Sequence, residues 1–285
     1  MELLHTIKEM RSWRSRQPLG ARIGLVPTMG ALHRGHATLA AQAVAENDRS
    51  IASIFVNPTQ FGPQEDYSRY PRDLGADAAL LAGLGIDAIF APQARDIYPQ
   101  QAQITYDIRD LDKRLCGASR PGHMNGVLQI VSILFHIVQP THAYFGLKDY
   151  QQYLLIRRMA TELHFPVQVV PCPIVREPDG VAMSSRNRYL DSEQRKQARF
   201  LRDVLDDLVG RRSVLQGPAD IAQIVEARQA QYPAVRLDYC EVLGGRDLQP
   251  ISSFNAAQAP VAFIAAYLGQ TRLIDNAPLY DYPPA

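Results

Sequence analysis

Two histidines, His33 and His36, sit three residues apart in Val26-Pro27-Thr28-Met29-Gly30-Ala31-Leu32-His33-Arg34-Gly35-His36. The segment follows an apolar, strand-like run, Ile23 to Val26, and opens a helix-like stretch from about His36 to Ala45. That spacing puts both imidazoles on one face of a helix N-terminus. Unpaired amides and the helix dipole there favour an anion such as phosphate. Gly30 and Gly35 let a ligand approach the backbone, and imidazolium donors can hold charge that develops on a leaving pyrophosphate. Gly30 to Gly35 reads Gly-x-x-x-x-Gly, but His36 and Ala37 follow instead of Lys and Ser/Thr, so this is not a P-loop. Two surface histidines, or two ligands of a metal, are the alternatives. A zinc site needs a third ligand, and no partner lies nearby in sequence.

Three further segments carry polar groups where strands end. Phe145-Gly146-Leu147-Lys148-Asp149-Tyr150 holds one of only four lysines among the 30 cations. A compact ammonium at that place suits a phosphate, while Asp149 can cap the following helix or meet a ribose hydroxyl. Val175 to Asn187 contains the turn Pro178-Asp179-Gly180 and then Ser184, Ser185, Arg186 and Asn187, a mobile polar loop able to close over phosphates or an ordinary linker. Phe55 to Gly62 offers Asn57 and Gln60 as orientable hydrogen-bonding groups for a small polar hydroxy-acid, with a plain Asn-Pro turn as the alternative. Gly83-Leu84-Gly85-Ile86-Asp87-Ala88 resembles a dinucleotide fingerprint, but it ends a helix and precedes a strand, the reverse of what pyrophosphate binding requires.

The elements that must position these groups alternate. Strand-like runs at 23–26, 51–56, 87–90, 143–146 and 167–170 are separated by helix-like stretches at 36–45, 71–84, 127–138 and 150–163. This predicts an α/β fold, a Rossmann-like parallel-sheet domain over residues 1–174, with chemistry at the C-terminal ends of its strands. A charged helix from Asp191 to about Gly210, a second from Ala219 to Gln229, and alternating segments at 235–242 and 261–268 predict a smaller α+β domain over 175–285, acting as a lid. A hydrophobic fraction of 46% is ample for a core, and a net charge of +1 argues against a nucleic-acid partner. Cys116, Cys172 and Cys240 are scattered and odd in number, which suits a reducing compartment. The start, Met1-Glu2-Leu3-Leu4-His5, lacks a signal-peptide pattern, and Val127–Val138 is too short and interrupted to span a bilayer. The expected location is the cytoplasm, with no membrane contact.

Taken in order, these segments resemble the pantoate–beta-alanine ligase (pantothenate synthetase) family, within the HxGH nucleotidyltransferases. The resemblance rests on Pro27 to His36, Phe55 to Gly62, Tyr70-Pro71-Arg72, Arg120-Pro121-Gly122-His123, Lys148-Asp149-Tyr150-Gln151-Gln152, Ser184 to Asn187 and Thr271 to Asn276, and it covers nearly the whole chain. It implies a ligase that activates pantoate with Mg-ATP as pantoyl adenylate, releasing pyrophosphate, and then passes the acyl group to beta-alanine, releasing AMP. By position it implies an ATP site of Met29, Gly30, Ala31, Leu32, His33, Arg34, Gly35, His36, Gly146, Leu147, Lys148, Asp149, Val175, Met183, Ser184, Ser185 and Arg186. His36, His33, Lys148 and Arg186 are its implied catalytic groups. Gln60 and Gln152 are implied at pantoate and Gln60 also at beta-alanine, and Asn57 joins the pantoate group from its place at the strand end. Mg²⁺ would ride on the phosphates, with Asp77 a minor metal candidate and otherwise a solvent-facing helix carboxylate. A homodimer is implied as well. Leu147 and Met124-Asn125 depart from residues usual in the family. A nucleotidylyltransferase that stops after nucleotide transfer, or a nucleotide-binding regulator without turnover, are the competing expectations.

Overall fold

The computed structural model describes residues 1–63, 65–251, 254 and 258–280. In chain order its elements are β1 (Glu2–Leu4), α1 (Ile7–Ser15), β2 (Ile23–Thr28), α2 (Arg34–Glu46), β3 (Arg49–Ile54), α3 (Leu74–Gly83), β4 (Ala88–Phe90), α4 (Ala94–Ile97), α5 (Leu115–Ser119) and α6 (His123–Val138). There follow β5 (His142–Gly146), α7 (Tyr150–Glu162), β6 (Gln168–Cys172), α8 (Ser192–Gln197), α9 (Arg199–Gly210), α10 (Pro218–Gln229), β7 (Val235–Gly244), β8 (Pro260–Leu268) and β9 (Thr271–Pro278). The chain divides into two compact units, Met1–Leu147 with Gln152–Pro173, and Lys148–Gln151 with Ile174–Ala285. The expected domain ends at 285, and its last five residues lie outside the described ones.

The first unit is a six-stranded sheet in the order β1-β4-β3-β2-β5-β6, parallel at every pairing. The order reverses beside β2: β3 and β4 lie on one side, β5 and β6 on the other. Such a reversal opens a crevice beyond the carboxyl ends of the two central strands. The segments leaving β2 and β5 there are the loop to His33 and the turn at Leu147. Alternation along each strand buries both faces, as a parallel sheet requires. Val26, Ala52 and Ile89 meet Leu39, Ala40 and Ala43 of α2 and Leu81 of α3 in one cluster. Alternation sends Leu25 and Ile51, both fully buried, to the opposite face, while α1, with Met10 and Trp13 buried, packs against α6.

β2 runs through Pro27, past the expected stop. Its outer half pairs only with β3, since β5 reaches no further than Leu25, so a residue without an N–H is tolerated there. Helix α6 begins at His123, four residues before the apolar run, and buries most of its length.

The second unit has an antiparallel sheet, β7-β8-β9, against α9 and α10. Its core joins Phe200, Val204 and Leu208 of α9, Ile221 and Val225 of α10, and Ile264 and Leu273 of the sheet. The single helix expected from Asp191 to Gly210 is two. Asp191 does cap α8, accepting from the amides of Glu193 and Gln194. The regular ladder then lapses at Ala198. The two pieces have different tasks: α8 buries no residue, whereas α9 buries five on one face. Four residues of the strand-to-helix turn, Lys148–Gln151, belong with this unit through specific contacts. The Tyr150 hydroxyl donates to Gly245 O at 2.9 Å, its ring lies 5.5 Å from Phe263, and Asn276 Nδ2 donates to Lys148 O at 3.0 Å.

One close approach ties α6 to the crevice side of the first unit. A Cβ on Gly126 would lie 2.3 Å from Thr59 O and 2.7 Å from Gln60 N, both backbone atoms that cannot swing aside. Gly126→Ala is therefore expected to cost about 1–3 kcal/mol through overpacking. Gly83→Ala, where a Cβ meets nothing within 4 Å, is the control and should leave stability unchanged or raise it. Thermal unfolding of the two variants checks this: a midpoint for Gly126→Ala equal to that of the parent would disprove the contact.

Candidate active site

The loop between β2 and α2 takes its shape from two successive left-handed residues, Gly30 (φ 80°) and Ala31 (φ 52°). The turn leaves the successive amides of Ala31 and Leu32 converging on one point, a concavity that binds an anion. The anion that fills it is protein. Asp77, from α3, accepts from Ala31 N at 2.9 Å with Oδ2 and from Leu32 N at 2.8 Å with Oδ1. The expectation of a solvent-facing carboxylate is thus corrected, for Asp77 is only 4% exposed. Gly30 has its reason here too: a Cβ would stand 2.9 Å from Asp77 Oδ2 and 3.1 Å from Ile54 Cγ2. The close approach at Gly30 serves Asp77, and the amides of Ala31 and Leu32 are already engaged. Each Asp77 oxygen accepts one backbone amide. Among the described residues no group of three or more His, Cys, Asp or Glu could hold a metal ion.

His33 is the N-cap of α2 and not a residue within it, so the two imidazoles meet through a reciprocal cap. His33 Nδ1 accepts from Gly35 N at 3.1 Å, and His36 Nδ1 accepts from His33 N at 3.3 Å. The ring centroids are 4.1 Å apart with a 33° tilt. A backbone amide can only donate, so both Nδ1 atoms act as acceptors. Each neutral ring then carries its proton on Nε2, an assignment that follows from the hydrogen bonds. Both rings are half-buried, as are Met29, Leu32 and Gly35, while Arg34 is exposed.

Past β3 the 3₁₀ turn Pro58–Gln60 presents Gln60, which is 8% exposed. Asn57 caps this turn and is wholly buried. Its Nδ2 donates to Gln60 Oε1 at 3.2 Å and Gly126 O at 3.0 Å, and its Oδ1 accepts from the Tyr98 hydroxyl at 2.9 Å and Thr59 Oγ1 at 3.0 Å. Asn57 is thus placed to orient Gln60, with its own amide satisfied by protein. The carbonyl end of the Gln60 amide is claimed by Asn57, and Nε2 lies 2.8 Å from Met29 Sδ. Gln60 thus has one further Nε2–H to donate, the polarity that a carboxylate oxygen needs. Gln152 is half-buried in the first turn of α7.

Within the second unit, Lys148 follows Leu147 in a 3₁₀ turn and pairs with Asp149 at 3.6 Å. Lys148 and Ser184 line one depression with Asp275 and Ile274. The first part of Val175–Asn187, read from sequence as a mobile polar loop or an ordinary linker, is a short hairpin: Met183 N donates to Val175 O, and Glu177 N to Val181 O. Arg176 clamps it, reaching Gly180 O at 3.0 Å and both oxygens of buried Asp275 at 2.6 and 3.1 Å. Ser184 caps the 3₁₀ turn Ser185–Tyr189, accepting from Arg186 N at 3.3 Å. Arg176 and Asp275 were not among the expected site residues. Their signal was thin: an Arg at the hairpin's foot and an Asp in a strand, 99 residues apart.

The comparisons agree over the whole chain. Residues 2–278 match the family model for pantoate-beta-alanine ligase. A pantothenate synthetase of Moorella thermoacetica is 47% identical over 283 residues, covering 98% of this chain and 99% of that one. A crystal structure of pantothenate synthetase from Thermus thermophilus superposes with a TM-score of 0.92 at 42% identity, covering 99% of this chain and 100% of the other. A pantoate-beta-alanine ligase from Francisella tularensis, solved with beta-gamma ATP and beta-alanine, gives a TM-score of 0.82 at 35% identity, covering 98% of each chain. The parallel sheet, the capped histidine pair and these full-length matches lead to one conclusion: the chain belongs to the pantoate–beta-alanine ligase family, enzymes that join pantoate to beta-alanine with ATP.

Proposed function

We propose that this chain makes pantothenate in two steps and that its histidine pair acts on the phosphates of ATP. In the first step a pantoate carboxylate oxygen attacks the α-phosphorus of ATP. The bond to the bridging oxygen breaks, giving pantoyl adenylate and pyrophosphate. In the second, the beta-alanine amine attacks the acyl carbon, AMP leaves with the acyl-oxygen electron pair, and the amine gives up a proton as the amide forms. The observation that carries this reading is the pair of Nε2–H donors held at the start of α2, behind a loop whose own amides are occupied. Donors fixed before the reaction stabilise charge developing on a leaving pyrophosphate without having to reorganise. His36 is the principal such donor, and His33 assists it while holding the cap.

Lys148 and Arg186 supply charge to the phosphates, and Ser184 and Ser185 supply hydroxyls. Met29 to Gly35, Gly146, Leu147, Asp149, Val175 and Met183 complete the nucleotide's surroundings. Gln60 and Gln152 hold pantoate, and Gln60 also meets beta-alanine, with Asn57 acting through Gln60. Mg²⁺ enters as the ATP complex, which accords with an Asp77 whose oxygens are already engaged. The enzyme works in the cytoplasm as a homodimer. The ATP requirement supports the first assignment and the family resemblance the second; among the described residues no helix is long and apolar enough to cross a membrane.

The decisive assay incubates the protein with ATP, Mg²⁺, pantoate and beta-alanine and follows AMP and pyrophosphate. Release of AMP should depend on both organic substrates; release without them would overturn the ligase reading. His36→Ala should lower kcat by on the order of a hundredfold or more, the loss typical of a single preorganised transition-state donor. Unaltered turnover would remove His36 from the chemistry. Asp77→Asn replaces one acceptor by a donor facing an amide N–H, so the loop should lose its shape. At least a tenfold fall in kcat/KM for ATP, about 1.4 kcal/mol, is expected, with the KM for beta-alanine little changed. Equal losses for both substrates would show that Asp77 serves the fold at large.

A further inference from the structure

The backbone of Gln60 is held by groups that the proposed mechanism leaves unused. Its carbonyl oxygen accepts from His123 Nδ1 at 2.8 Å and from Arg120 NH2 at 3.4 Å. Arg120 NH1 lies 2.9 Å from His123 Nε2, and its remaining face makes a two-pronged pair with Glu65, 2.6 Å at each prong. These contacts fix the protons. A carbonyl only accepts, so Nδ1 of His123 must carry hydrogen; a guanidinium only donates, so Nε2 must be bare. His123 is therefore a neutral imidazole of defined tautomer, 9% exposed, at the first turn of α6. Glu65 offsets the charge that Arg120 brings into this half-buried place. Burial raises its carboxyl pKa, and the hydrogen bond and charge of Arg120 outweigh that and leave it below the ordinary value.

We propose that Glu65, Arg120 and His123 form a positioning relay that sets the peptide plane of Gln60, and through it the aim of the Gln60 amide at pantoate and beta-alanine. Asn57 holds the side chain of Gln60, while the relay holds its main chain. A residue fixed at both ends cannot trade one orientation for another. A misplacement of about 1 Å in such a group can cost a hundredfold in rate. None of the three touches the reacting atoms; each acts through Gln60. The inference rests on the assignment of Gln60 to pantoate and beta-alanine.

Steady-state kinetics of the full chain test it, with pantoate, beta-alanine and ATP varied in turn for Gln60→Ala, His123→Ala, His123→Asn and Glu65→Gln. His123→Ala should raise KM for pantoate on the order of tenfold and leave KM for ATP within about twofold. His123→Asn should recover most of that loss, because an Asn amide N–H can stand where Nδ1–H stood. Glu65→Gln should raise KM for pantoate a few-fold, and it carries the test by the same comparison if His123→Ala fails to fold. A packing role for His123 predicts instead that Ala and Asn behave alike or that KM for ATP rises in step; either result overturns the relay. Normal pantoate kinetics in the relay variants, beside a raised KM in Gln60→Ala, also overturns it. Unaltered KM in Gln60→Ala overturns the assignment of Gln60 itself, and the relay with it.

Discussion

The carboxylate of Asp77, seated in the concavity of the β2–α2 loop, is the constraint on which the loop and the start of α2 depend. Ala31 is held left-handed, at a cost of about 1–2 kcal/mol for a residue with a Cβ, and Gly30 beside it is left-handed too. Two hydrogen bonds to a buried charge, at about 1.5–3 kcal/mol each, offset that cost. Their geometry also sets the course of the chain beyond the loop. With Leu32 N turned back to Asp77, the chain reaches His33 extended (φ −135°, ψ 176°), the backbone an N-cap needs. A Ser or Asp at that position would also cap the helix, but it would bring no ring. Using imidazoles as caps solves two problems together. Nδ1 completes the helix start, and the tautomer thereby selected leaves Nε2 as a donor.

The same economy appears at Gln60, where a flexible side chain behaves as a rigid one. Glutamine gives up considerable rotamer freedom when fixed, so a lone Gln binds with an entropic cost at each encounter. Here the ordering is done during folding. Asn57, Tyr98, Thr59 and Gly126 O saturate one end of the network, and His123 and Arg120 saturate the other. Gly126 contributes by absence: only without a Cβ can α6 come close enough for Asn57 to reach its carbonyl. The cost of ordering Gln60 is thus carried by core packing.

Much of the fold was legible from hydrophobic runs, because a parallel sheet buried on both faces writes uninterrupted apolar strands. β2, β3 and β5 announce themselves this way. β1 and α1 leave no such run, since Glu2–Leu4 is three residues long and α1 buries little besides Met10 and Trp13. β9 shows in the sequence only as the block Thr271 to Asn276, without the pattern of a strand. Its Arg272, Asp275 and Asn276 make ion pairs and hydrogen bonds that no alternation pattern foretells. Sequence points Asp77 outward, because a carboxylate in a helix is ordinarily solvated. The available clue was periodicity: Leu81, one turn on, shares its buried face. An acid on the apolar side of a helix needs a partner, and the nearest amides were 45 residues away, beyond any local pattern.

That distance explains why the histidine motif alone could not define the site. His33-Arg34-Gly35-His36 is local, and the reciprocal cap is made within it. What holds the motif is not local: Asp77 reaches its loop from α3. The balanced total charge of +1 hides the same division. Acids such as Asp77, Glu65 and Asp275 are spent inside the protein, on amides and on Arg120 and Arg176. A global charge count therefore says which partners the outer surface repels or ignores, and nothing about a site whose charges have been paired off one by one.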